Sequence, residues 1–137
     1  MGGNLTRQPG WEGRLSTYII GCMGKPFEWG VLDCAMFAAG AVEALSGEDI
    51  AAPFRNYRTE LGGMRKARAA GYADHEAIFA DRLRSVPLSL LCEGDVVAVE
   101  QEGRVGMAVV SGAIVYAMTV DGFGVLPLSD AVRGYAV

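Results

Sequence analysis

Two periodicities divide this chain at Pro87, and they constrain its fold more than any other feature. Before Pro87, apolar residues recur at helical spacing, as in Trp11, Leu15, Tyr18, Ile19 and Cys22 with Gly24 behind them. A second helix is expected from about Cys34 to Leu45, with Asp33 as its cap, Phe37, Ala41, Ala44 and Leu45 inward, and Gly47 as its stop. A short helix within residues 54–72 ends at Gly71, and a fourth, "DHEAIFADRLRSV", starts from Asp74 with Ile78, Phe79 and Leu83 inward. Past Pro87 the texture changes to short β-branched or aliphatic runs, "GDVVAVEQ", "RVGMAVVS", "AIVYAMTV", "GVLPL" and "GYAV", separated by Gly, Asp or charged turns. Helices followed by an antiparallel meander predict an α+β fold, N-terminal helices packed on a C-terminal antiparallel sheet. No repeat or linker divides residues 1–137, so one domain is expected, with residues 1–10 as a flexible arm.

Composition narrows the function classes. At 137 residues and 51% hydrophobic, the chain can bury a core. Its 16 acidic and 12 basic residues leave a formal charge of −4, which does not draw it to phosphate backbones, so no nucleic-acid partner is expected. The Gly-rich polar start is unlike a secretory signal, and the longest uncharged run is too short and too interrupted to span a bilayer, so synthesis in the cytoplasm without membrane insertion is expected. Cys22, Cys34 and Cys92 are an odd set without a CxxC or Cys/His cluster. Neither a disulfide framework, a metal nor a cofactor is implied. The basic cluster of Arg55, Arg58, Arg65, Lys66 and Arg68 reads as a solvated helical face or as a docking surface for an acidic partner.

Cys34 carries the chemical question. A cysteine in the first helical turn feels the positive helix end and its unpaired N–H groups, which favour thiolate. The adjacent Asp33 opposes ionisation unless its carboxylate is engaged in capping. A small buried residue opening a core helix is the competing reading, since free cysteine is among the most buried residue types.

The stretch "FEWGVLDCAMFAAGAV", followed by "GDVVAVEQEGRVGMAVVSGAIVYAM", resembles the NlpC-type papain-like cysteine peptidases. It is similar in particular to a small branch found in phage and prophage tail modules and gene-transfer-agent-like clusters. The resemblance covers about residues 11–137 and is strongest in the WG–DC–F block. It implies a papain-like fold, Cys34 at the nucleophile position, Asp33 and Phe37 as its helix-start companions, and Trp29–Gly30 as the approach. Gly94 and Asp95 would open the first central strand. Arg104 stands where the family has its general base, and Tyr116 where it has its third, base-orienting residue.

A guanidinium has a pKa above about 12 and cannot take a thiol proton. Arg104 can stabilise a thiolate but cannot replace histidine. The single histidine, His75, lies on a helix ahead of the sheet, the wrong element for a papain-like base, and is expected on a solvated face near Asp74 or Glu76. Three readings follow. In the first, the chain is a non-catalytic structural or assembly component of a phage-type tail, at the tail tip or hub region. Its partners are then other tail proteins and its location the virion. The basic strip, the N-terminal arm and the C-terminal "RGYAV" are the candidate contact surfaces. In the second, it is a cell-wall endopeptidase or amidase acting on peptidoglycan through Cys34; in the third, it is a binding module whose residual cleft holds a peptide or glycan without cutting it.

Overall fold

The computed structural model describes residues 5–137. Four helices come first: α1 (Trp11–Met23), α2 (Cys34–Ser46), α3 (Glu60–Ala69) and α4 (His75–Arg82). Six strands follow: β1 (Arg84–Val86), β2 (Val96–Gln101), β3 (Arg104–Ser111), β4 (Ile114–Thr119), β5 (Gly122–Pro127) and β6 (Ala131–Ala136). The class is α+β. No helix among the described residues is long and apolar enough to cross a membrane.

Local chemistry sets the helix limits. Asp33 caps α2 by accepting the Met36 N–H at 2.9 Å, and Gly47, at φ 82°, ends it. Asp74 caps α4 through the Ala77 N–H at 2.9 Å. The expected continuation of α4 to Val86 is corrected: the helix stops at Arg82 and Arg84–Val86 is a strand. Pro87 disfavours helical backbone at Val86, and β6 supplies a pairing edge instead.

The sheet is antiparallel throughout, in the order β1-β6-β2-β3-β4-β5. Strands β2 to β5 form the expected meander. The last strand departs from it, crossing back to lie between β1 and β2. The C-terminal "RGYAV" is therefore not a free contact surface: its Tyr135 and Ala136 are buried and the strand is paired on both sides.

Alternation along the strands gives the sheet two cores. Val96, Ala98, Met107, Val109 and Met118 pack with the helices, while Val97, Ala108, Val110, Val115 and Ala131 form a second buried cluster closed by Leu91, Leu126 and Leu128. Helix α2 is apolar nearly all round and is enclosed between α1 and the sheet. At Gly40 it has no Cβ, and one placed there would stand 2.1 Å from the Tyr18 hydroxyl, which donates to the Phe37 carbonyl at 2.7 Å.

Residues 1–4 of the expected arm lie outside the described residues, and residues 5–10 are held in place. Arg7 donates to Asp95 at 2.8 Å and to the Glu93 carbonyl at 2.7 Å, and its guanidinium lies 4.3 Å from the Trp11 ring centroid. Asp95, read in the sequence as a strand opener, is a buried hub. It also accepts the N–H groups of Cys92 at 2.8 Å and Val137 at 3.2 Å, tying both chain ends to the start of β2.

Candidate active site

Cys34 opens α2, and its sulfur faces β3. The Met107 backbone N–H points at it, and a Cβ on Gly106 would sit 3.6 Å away. Burial pushes the thiol pKa above its ordinary value; the Met107 N–H opposes that shift and the Asp33 charge adds to it. The expectation that the helix terminus favours thiolate is thus outweighed by desolvation. Asp33 itself is engaged in capping, with Oδ1 taking the Met36 N–H and Oδ2 the Gly30 N–H at 3.0 Å and the Tyr57 hydroxyl.

The "WG" approach has a steric explanation. Gly30 sits at φ 75°, and a Cβ there would lie 2.1 Å from the Tyr57 carbonyl oxygen. Its own carbonyl accepts the Asn56 N–H at 2.8 Å. Only glycine lets the two loops touch, and that contact delivers the Tyr57 hydroxyl to Asp33. Phe27 and Trp29, ring centroids 4.7 Å apart and edge to face, form one wall of the cleft over Cys34.

The cleft, about 860 Å³, brings Cys34 and Arg104 together but leaves Tyr116 out. Arg104 forms an exposed ion pair with Glu60 of α3, its side chain 70% exposed. Tyr116 lines a separate groove against α1 and packs on Phe123, 5.4 Å between ring centroids.

His75 is the main correction to the sequence reading. It is half-buried rather than solvated, lines the same cleft as Cys34, and stacks on Tyr57 at 5.5 Å and 28°. Its Nε2 is shielded from solvent and has no hydrogen-bond partner among the described residues. No hydrogen bond joins it to Cys34 among the described residues. Its neighbour Glu76 accepts from Arg133 at 2.5 and 2.8 Å and from the Tyr135 hydroxyl, which fixes the start of α4 to β6. Sequence reasoning missed Tyr57 entirely. The available signal was a lone aromatic in the polar run "RNYRTE", where nothing local calls for one.

The expected basic cluster is partly spent internally. Arg55 pairs with Asp49 at 2.8 and 2.9 Å, Lys66 donates to the Arg55 carbonyl at 2.7 Å, and Arg68 to the Ala73 carbonyl at 3.4 Å. Among the described residues no group of three or more His, Cys, Asp or Glu side chains is placed to hold a metal ion.

The family model described as Domain of unknown function (DUF6950) matches residues 6–137, nearly the whole chain. The chain belongs to the DUF6950 family. No curated protein and no solved structure matches it significantly. The DUF6950 match spans the Cys34 helix, the Tyr57 and His75 segments and the whole sheet, so all parts of the cleft fall inside one family domain.

Proposed function

We propose that this chain is a non-catalytic structural or assembly component of a phage-type tail, built on an NlpC-type papain-like fold that has kept its cysteine and lost its base. The observation that carries the non-catalytic part is the state of Cys34. Its thiol is held neutral by burial, and the side chain at the base position, Arg104, is turned to Glu60. A nucleophilic thiol needs a depressed pKa or a hydrogen-bonded proton acceptor; this pKa is raised, and among the described residues no hydrogen bond joins the sulfur to His75. The tail assignment rests on the likeness of the "FEWGVLDCAMF" block to tail-module proteins, with other tail proteins as partners and the virion as location.

Incubation with peptidoglycan and with peptide substrates tests the first part, with no turnover expected. Tail particles purified from cells carrying Cys34→Ala test the second, with the variant incorporated at the wild-type level. Hydrolysis that disappears in Cys34→Ala overturns the reading.

One observation favours a second reading, a peptidoglycan endopeptidase or amidase. His75 lies in the same cleft with an unpartnered, sheltered Nε2, the chemistry a general base needs. A base arriving from α4 instead of a strand would be a departure from papain-like geometry. Its signature is hydrolysis lost in both Cys34→Ala and His75→Ala.

A further inference from the structure

The β3–β4 hairpin is only half closed. Its register pairs Ser111 with Ile114, Val110 with Val115 and Val109 with Tyr116, and there the ladder stops. Continued, it would pair Ala108 with Ala117, Met107 with Met118, Gly106 with Thr119 and Val105 with Val120. None of these pairs forms, yet both strands persist because β3 stays on β2 as far as Arg104 and β4 stays on β5 as far as Thr119. All eight residues line the Cys34 cleft. The cleft is therefore a wedge between two splayed strands of one sheet.

Hydrogen-bond alternation identifies the groups on its lips. Val110 exchanges bonds with Gly94 and Asp95, so its polar groups point toward β2. Two-residue alternation then turns Val109, Met107 and Val105 toward β4, and likewise Tyr116 and Met118 toward β3. Val109 and Tyr116 meet each other. The Met107 N–H faces the Cys34 sulfur instead of a β4 partner. Val105, Met107 and Met118 thus face the gap beyond the last β3–β4 pair, with no ladder partner across it. At the mouth, Val105 and Val120 are 44% and 70% exposed, an apolar entrance to an unpaired edge.

We propose that this wedge takes an extended polypeptide segment, inserted as a short strand beside β3 with its backbone paired to Val105 and Met107. Unpaired strand edges bind extended chains through main-chain hydrogen bonds, and side-chain pockets supply the preference. The rim sets that preference. Glu60 is neutralised by Arg104, while Glu100, Glu102 and Asp130 also line the cleft without an ion pair among the described residues. The occupant is a segment of alternating apolar and basic residues. The inference stands apart from the tail reading, since a scaffold and a hydrolase can both use such an edge.

Amide hydrogen exchange on the full chain is the first test. The Val105 and Met118 amides should exchange faster than those of Val109 and Tyr116, and become protected when an octapeptide of alternating lysine and valine is added. Amides as slow as Val109 in the free protein would mean a closed ladder and overturn the inference. Fluorescence anisotropy of the labelled octapeptide supplies the second. Saturable binding is expected, weakened tenfold or more by glutamate in place of lysine, by N-methylation of alternate backbone nitrogens, or by Glu100→Gln with Glu102→Gln. No saturable binding at millimolar peptide, or binding indifferent to N-methylation, overturns it.

Discussion

The Tyr57 hydroxyl donates to Asp33, the carboxylate that caps the helix opened by Cys34, and the Tyr57 ring carries His75 on its face. Three segments distant in sequence are thereby locked around one buried carboxylate.

Tyr57→Phe should destabilise the fold by about 1.5–3 kcal/mol, the range for a buried hydrogen bond to a charged group. Asp33→Ala should cost more, since it strands the Gly30 and Met36 N–H groups as well. Urea unfolding followed by circular dichroism measures both. Equal stability of wild type and Tyr57→Phe would show that the phenol contributes nothing.

Gly30→Ala should be among the most damaging single substitutions, at about 3 kcal/mol or more, because strained positive φ and a clash with backbone act together. The clash is with the Tyr57 carbonyl, which cannot swing away as a side-chain tip can. Thermal unfolding of the variant checks it, and a melting temperature within a degree of wild type would contradict the loop contact.

Iodoacetamide should label the exposed Cys92 before Cys34, by about tenfold or more at neutral pH, since burial raises the Cys34 pKa and only thiolate reacts. Peptide mapping by mass spectrometry resolves the sites. Faster labelling of Cys34 would mark an activated nucleophile and favour the hydrolase.

Stability should decline on the alkaline side. Burial, reinforced by Asp33, raises the Tyr57 pKa, and burial with Glu76 pushes that of Tyr135 up to about 12. A folded-state pKa above the unfolded value of about 10 stabilises fully below that value. The contribution is lost as pH rises from there through the folded pKa. Tyr57→Phe and Tyr135→Phe should each flatten the stability profile above about pH 10.

The acid limb has the opposite sign. Burial alone would raise the Glu76 pKa, but its bonds from Arg133 and Tyr135 outweigh burial and hold it below the usual carboxylate value. Its contribution is present above the unfolded pKa and lost as pH falls through the folded one. Glu76→Gln should therefore weaken the protein near neutrality and lose less stability than wild type on acidification below about pH 4.5. Denaturant titrations at stepped pH measure the slope.

What the sequence determined by itself is local: the Asp33 and Asp74 caps, the Gly47 stop, the change from helical to alternating periodicity at Pro87, and Cys34 in the first turn of a core helix. Each depends on atoms within about one turn or one hairpin, so neighbouring residues suffice to specify it. Tertiary structure alone decided that β6 returns beside β2, that Arg104 turns to Glu60, and that Tyr57 and His75 converge on the Cys34 cleft. It also decided that β3 and β4 part at Ala108. Those outcomes depend on which distant groups meet in space, as Arg104 and Glu60 do, and no local pattern encodes such a meeting.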